Sequence, residues 1–320
     1  MLYKKCSIYL LPFILIGCGG SGSDDAEDKT ARVSFSVSDA PVDDADEVVI
    51  AFDAIELKHQ NGKSYQISVV DTDEEKDYQQ VDLLEYQGTD AKLIASDEEI
   101  AVGTYKEMIL HIKAGNLNWV EANGTHDLKI PSNKLQLGGF EVTDESVQSF
   151  TIEFDLRKGL VLRGNSGNNN GYILKPHGVS IIDNGSAASL KGNVDLPLFT
   201  SGEGCETGLG NFVYLYQGHN HSDSVLLDNV DFDDEEYNDA VALPEFYVTP
   251  YASTEVAENG DYAFGYLPSG DYTVAFSCSA ENDDPVQYDQ LVIANPAEQV
   301  TEIVLPSTKE VIHDFKEVVN

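Results

Sequence analysis

Asn259-Gly260-Asp261-Tyr262-Ala263-Phe264-Gly265-Tyr266-Leu267-Pro268-Ser269-Gly270-Asp271-Tyr272-Thr273-Val274-Ala275-Phe276 decides the fold class. Asn-Gly and Pro-Ser-Gly are turn signals, and aromatic and β-branched residues fill one face of what lies between and after them. The stretch reads as a β-hairpin. Working outward, the same grammar repeats. Residues 32–37 alternate strictly, a period of two that marks a strand. Residues 47–57 and 64–70 flank Asn61-Gly62, and residues 117–120 and 126–130 flank Asn123-Gly124. Residues 104–113 and 147–156 add further strands, and Gly171 to Ile182 closes the set. A second set runs through 189–194, 211–216, 245–257, 287–293 and 299–305. Four stretches interrupt the pattern. Val81, Leu83, Leu84, Leu93 and Ile94 predict one or two short helical turns in 80–96, and Asn165 to Gly171 predicts a loop. Residues 218–242 hold eight acids and no Lys or Arg, which predicts a solvated loop or flap. The tail after Pro306 predicts a helical or loose end. Many short strands without long alternating helices predict a mainly β chain of two β-sandwich domains.

The N-terminus has a different character. Lys4 and Lys5 precede an apolar run, Ile8 to Ile16, which ends at Leu15-Ile16-Gly17-Cys18. That run is shorter than the roughly 20 residues a membrane span requires and has the build of a secretory signal. Its last four residues resemble the lipobox of bacterial lipoproteins. The resemblance implies that Cys18 is acylated, with palmitate-type chains, and becomes the first mature residue. Gly- and Ser-rich sequence then supplies a flexible tether, and more than one acyl chain gives stable anchoring. Gly19 stands where an Asp retains enterobacterial lipoproteins in the inner membrane, so the family analogy favours the outer membrane. The expected organisation is signal peptide 1–17, tether 18–30, a first sandwich over 31–184, a second over 187–306, and a tail over 307–320.

The 320-residue chain carries a formal charge of −37, and loss of Lys4 and Lys5 with the signal makes it −39 (−37 minus 2). Nucleic acid is excluded as a partner, because its backbone demands Lys and Arg. Adhesion to a bare anionic membrane surface is disfavoured for the same reason. Of the four cysteines, Cys6 leaves with the signal and Cys18 is acylated. Cys205 and Cys278 remain in an oxidising compartment, which predicts a disulfide between them, with two buried free thiols as the alternative.

Three stretches of the first sandwich resemble a family of bacterial lipoprotein domains called domain of unknown function 4382. They are Ser38-Asp39-Ala40-Pro41 with Val48-Val49-Ile50; Val81-Asp82-Leu83-Leu84 leading to Ile100-Ala101-Val102-Gly103-Thr104-Tyr105; and Phe154-Asp155-Leu156-Arg157-Lys158-Gly159-Leu160-Val161 followed by Gly171-Tyr172-Ile173-Leu174-Lys175-Pro176. They occur in order, and the likeness spans about residues 31–183. It implies a fold and no activity. The stretch at 259–276 resembles the transthyretin-like or carboxypeptidase-regulatory sandwich, which again implies fold alone. Ile100 to Tyr105 echoes Leu267 to Tyr272.

No catalytic signature is present: there is no G-x-S-x-G elbow and no H-E-x-x-H. His219-Asn220-His221-Ser222-Asp223 could set two imidazoles on one strand face for a metal, against the blander reading of a polar loop. Asp231, Asp233, Asp234 and Glu235 are weak candidates for calcium or magnesium, which take oxygen ligands. An EF-hand loop needs Gly at its sixth position, where this run has Glu236 and the run from Asp71 has Lys76. Trp119 could stack on a sugar, although a single Trp more often packs. The sequence thus predicts a membrane-anchored envelope lipoprotein with a binding or structural role and no cofactor. It would sit on the outer membrane, facing the periplasm or the cell surface, with an envelope protein or a glycan as partner. Two alternatives stay open: a calcium-dependent adhesion or glycan-binding module, and a hydrolase with an unrecognised acidic site.

Overall fold

The computed structural model describes residues 29–40, 45–71, 75–143, 147–165, 168–206 and 209–317. Cys18, the signal peptide and nearly all of the tether lie outside the described residues. Among the described residues no helix is long and apolar enough to cross a membrane.

The chain is mainly β, and its N-terminal sheets enclose one core. In the smaller sheet the order is Val179–Asp183, Val147–Asp155, Thr30–Ala40, Lys92–Ala101. Alternation in Thr30–Ala40 turns Val33, Phe35 and Val37 inward, each fully buried. This strand runs parallel to Val147–Asp155, setting Phe35 opposite Phe150 and Ala40 opposite Asp155. The larger sheet is built around Glu47–His59, paired antiparallel with Gly103–Ile112. Aromatic rings stitch the layers together: Phe35 lies 5.8 Å from Phe150, and Phe140 lies 4.9 Å from Phe150 and 5.0 Å from Tyr105. At the Asn123-Gly124 turn both residues take positive φ, 52° and 127°, as a tight hairpin turn requires.

The C-terminal sheets enclose a second core. One has the order Asp261–Leu267, Ala188–Asn193, Glu310–Ile312; the other has Ala252–Glu255, Phe212–Gln217, Gly270–Ser277, Val300–Leu305. Leu190, Leu215, Phe264, Tyr272, Phe276 and Phe315 meet between them. Cys205 and Cys278 form a disulfide, with Cα atoms 5.1 Å apart.

The deciding stretch is not a hairpin. Asp261–Leu267 and Gly270–Ser277 belong to different sheets, so the turn between them carries the chain across the sandwich. The Tyr272 hydroxyl pins it by donating to the Pro268 carbonyl at 2.9 Å. Tyr105 does the same to Ala101, also at 2.9 Å, where Lys92–Ala101 crosses to Gly103–Ile112. The echo between the two sequences is therefore a shared corner, a tyrosine hydroxyl tied four residues back.

Four other expectations need correction. In 80–96 only Leu83–Glu85 is helical, a 3-10 turn capped by Asp82, while Leu93 and Ile94 lie in a strand. Asn165 to Gly171 is not a simple loop, since Leu160–Asn165 and Asn168–Leu174 pair antiparallel. Residues 287–293 form no strand, because the N–H groups of Val286 and Gln287 donate to Asp284, and those of Asp289 and Leu291 to Asp228. The tail is neither helical nor loose: Glu310–Ile312 pairs parallel with Ala188–Asn193, and Phe315 is buried.

Candidate functional site

Every residue of Phe212–Tyr216 is buried, although a sheet strand normally alternates. The acidic segment explains this. Leu226, Leu227, Asp228 and Asn229 fold back over the outer face and are buried with Tyr214, Tyr216 and Ala275. The expected solvated flap is therefore solvated over most of its length but buries Leu226 to Asn229, whose apolar members cover a strand that would otherwise be exposed.

The acids of that segment meet the N-terminal sheets. Val147–Asp155 ends in a single helical turn, Leu156–Gly159, capped by Asp155, whose Oδ1 accepts from the Lys158 N–H at 3.2 Å. The turn directs two cations into the C-terminal part. The Arg157 guanidinium is buried, with Nη1 donating to Ser253 Oγ at 3.1 Å and Nη2 3.3 Å from Asp283 Oδ2. It lies 3.7 Å over the Phe212 ring. Asp283 also accepts from the Tyr214 hydroxyl and Asn229 Nδ2, both at 2.7 Å, and from the Asn229 N–H at 3.0 Å. Burial pushes the Asp283 carboxyl up to about 6, although Arg157 pulls the other way. Lys158 Nζ donates to the Pro250 and Tyr251 carbonyls at 3.2 Å each.

The candidate cation ligands are engaged at the same joint. Asp234 pairs with Lys175, and Asp231 lies 3.1 Å from His177 Nδ1. Asp231 and Asp234 further accept from the N–H groups of Asp233 and Glu236. Only Asp233 and Glu235 of the four stay exposed. Asp231 and Asp234 are therefore partnered by residues distant in sequence, although the segment itself holds no Lys or Arg. Phe232, Phe246 and Tyr247 are exposed, and the Phe232 ring sits 5.2 Å from Tyr237 and 5.8 Å from Tyr247.

His219 and His221 do not converge: their Nε2 atoms face the Ile303 and Gln217 carbonyls at 2.9 and 3.0 Å. Trp119 is half-buried and donates to Glu47 at 3.2 Å. Among the described residues no group of three or more His, Cys, Asp or Glu side chains is placed to hold a metal ion. Thr72 to Glu74, the centre of the other acidic run, lie outside the described residues.

Sequence reasoning missed a second set of groups at the joint. A cavity of about 130 Å³ lies between the two parts, lined by Asp39, Glu153, Asp155, Lys158, Tyr251 and Tyr266 among others. Both Asp39 carboxylate oxygens, Glu153 Oε2 and Asp155 Oδ2 are buried and make no close, well-aligned hydrogen bond. Burial raises Asp39 and Glu153 well above the usual carboxylate range; each is raised further by neighbouring acids. A weaker opposing pull comes from the Leu156 N–H on Asp39 and from the Ser38 hydroxyl on Glu153. Burial brings Asp155 to about 6 against the pull of Lys158 and Arg157. Next to the cavity the backbones nearly touch. A Cβ on Gly265 would fall 1.6 Å from the Gly88 carbonyl, so only glycine fits.

Residues 30–176 match the family described as Domain of unknown function (DUF4382). No curated protein matches the sequence. Among solved structures, the Bacillus anthracis TIE protein is 11% identical over 89% of this chain with a TM-score of 0.21; the chain spans 34% of that protein's length. The minor pilin GBS52 of Streptococcus agalactiae is 11% identical, covering 88% of this chain and 94% of its own, with a TM-score of 0.20. A putative cell adhesion protein from Parabacteroides distasonis is 10% identical, covering 89% and 92%, with a TM-score of 0.18. Likenesses at that level carry no inference about this chain.

Proposed function

With residues 30–176 placed in the DUF4382 family, we propose that the chain is a lipid-anchored envelope protein with a structural or binding role and no catalytic one. Cys18 carries the acyl chains, the outer membrane holds them, and two β-sandwich domains stand off on the tether. The observation that carries this reading is the Arg157–Asp283 joint. A buried polar network centred on Arg157 and Asp283 links its two parts to each other. A fastened pair of sandwiches suits a rigid body that bears contacts. The exposed Phe232, Phe246 and Tyr247, interleaved with Asp233, Glu235 and Glu236, supply a contact surface. Large exposed apolar groups rimmed by charge mark interaction sites.

A hydrolase reading gains one supporting observation, the raised pKa values of buried carboxyls in a cavity, a pattern common at catalytic centres. Size argues against it. Substrate pockets run from roughly 300 to 1,000 Å³, and this cavity holds about 130 Å³. Cross-linking in intact cells tests the proposal. The Phe232→Ser/Phe246→Ser variant should lose its envelope cross-links while keeping its melting temperature. Turnover of glycan or peptide substrates that disappears in Glu153→Gln would overturn it.

A further inference from the structure

We infer that the edge strand Val300–Leu305, with the apolar groove beside it, takes an extended segment of a partner protein as an added β-strand. That segment alternates aliphatic side chains with Lys or Arg. The surface is separate from the Phe232, Phe246 and Tyr247 patch and does not depend on it.

Val300–Leu305 is the last strand of its four-stranded sheet and pairs with Gly270–Ser277 without a register shift. In an antiparallel ladder, residues bonded to the neighbouring strand alternate with residues whose backbone groups point away from it. The Phe276 N–H donates to the Gln299 carbonyl at 2.9 Å, which puts Thr301, Ile303 and Leu305 in the bonded set. The N–H and C=O groups of Val300, Glu302 and Val304 therefore point outward, and no backbone partner meets them among the described residues. Exposed edges are ordinarily blunted by Lys, Pro or a bulge. This strand, Val-Thr-Glu-Ile-Val-Leu, has none of these and a single charge, Glu302. Val300 and Val304 are 39% and 55% exposed.

Val300, Glu302 and Val304 share one face of the sheet. A groove of about 540 Å³ opens beside them, lined by Val225, Val292, Ala297 and Val300, with His221 and Glu302 among its polar members. Val225 and Val292 are exposed as well, so the groove offers seats for aliphatic side chains. Charge selects the occupant. From Gly192 to Thr308 the sequence holds 12 Asp, 10 Glu and no Lys or Arg. Glu302 has a histidine as its counter-charge, with His219 Nδ1 3.9 Å away. A second copy would bring the same acids against this edge, and like charges on paired strands destabilise. Residues 18–28 of the chain carry four further acids and no Val, Leu or Ile, so they do not fit the groove. A strand that sets aliphatic, basic and aliphatic residues beside Val300, Glu302 and Val304 satisfies backbone, groove and charge together.

The probe is a fluorescein-labelled peptide, Lys-Thr-Val-Thr-Lys-Thr-Val-Thr-Lys, titrated with the full chain at physiological ionic strength. Its anisotropy should saturate at one peptide per chain. Methylating the amide nitrogens on the peptide's pairing edge keeps its charge but removes its donors, and should weaken binding at least about tenfold. Val304→Pro removes an outward N–H, a change that edge strands tolerate. It should weaken binding as much while the melting temperature holds. Phe232→Ser/Phe246→Ser should bind as the unaltered protein does. If Val304→Pro fails to fold, the methylated peptide on the unaltered protein decides. Equal binding of the two peptides means simple attraction to an acidic surface and overturns the proposal. So do a titration that does not saturate, binding that survives in folded Val304→Pro, and binding lost in Phe232→Ser/Phe246→Ser.

Discussion

Replacing Arg157 with Met removes the cation of the joint and keeps most of its apolar bulk. Breaking a buried ion pair commonly costs about 3–5 kcal/mol, because the partner is left charged and alone. Here the penalty has a ceiling. Asp283 keeps three donors, from Tyr214 and from Asn229 twice, and its carboxyl already sits at about 6. Without Arg157 it rises further and takes up a proton near neutrality. At pH 7 the ionised form lies below the protonated form by one pKa unit, about 1.4 kcal/mol, so the charge-related loss stops there. The lost hydrogen bond to Ser253 adds about 1 kcal/mol, and the lost stacking on Phe212 about 1 kcal/mol. The expected destabilisation is about 3 kcal/mol at pH 7. At pH 5 Asp283 is mostly protonated in the parent as well, so the loss should shrink by about 1 kcal/mol. Urea unfolding followed by the fluorescence of Trp119 and by circular dichroism measures this. In the variant the N-terminal signal should separate from the C-terminal one. A loss below about 0.5 kcal/mol, or an equal loss at both pH values, would refute the reasoning.

Three further outcomes follow from the same chemistry. Cys18→Ser should abolish fatty-acid incorporation and release the protein from membranes; continued labelling and sedimentation would contradict anchoring there. Cys205→Ser/Cys278→Ser opens a loop spanning 73 residues and should cost up to about 4 kcal/mol on the loop-closure account; an unchanged urea midpoint would contradict it. The pH profile has a determined sign. Asp155, Asp283 and Asp228 have carboxyls raised to about 6, 6 and 7. The folded state therefore holds more protons than the unfolded one from about pH 4 up to those values, and stability falls as pH rises through that window. His177 and His313, lowered by burial, act in the opposite sense but are fewer. The urea midpoint should be higher at pH 5.5 than at pH 7.5, and a lower midpoint at pH 5.5 would contradict this balance.

How much the sequence revealed depended on how local the deciding force was. The Asn123-Gly124 turn and the alternation of Val33, Phe35 and Val37 were legible because each depends on neighbours in the chain. The pairing of Asp261–Leu267 was not. Pro268-Ser269-Gly270 turns the chain equally well within a sheet or across a sandwich, and the choice is made by Tyr272 and the opposing layer. The sequence signal for it was the Ile100–Tyr105 echo, whose common tyrosine marks the corner. Residues 218–242 misled through their charge, because Lys175 and His177, which partner Asp234 and Asp231, come from far upstream. Arg157 is one of three arginines in the chain, and it sits in a motif with no visible task. Asp39 stands near the end of the strand Thr30–Ala40, and nothing local announces that it is buried beside Glu153 and Asp155.

The central claim is that the two parts form one rigid body through the Arg157 joint. Distance measurement between genetically encoded spin labels at the exposed positions Thr125 and Glu258, in opposite parts of the chain, tests it most directly. The account predicts a single narrow distance distribution that broadens in Arg157→Met. A broad distribution in the unaltered protein, or a narrow one that Arg157→Met leaves unchanged, would contradict it.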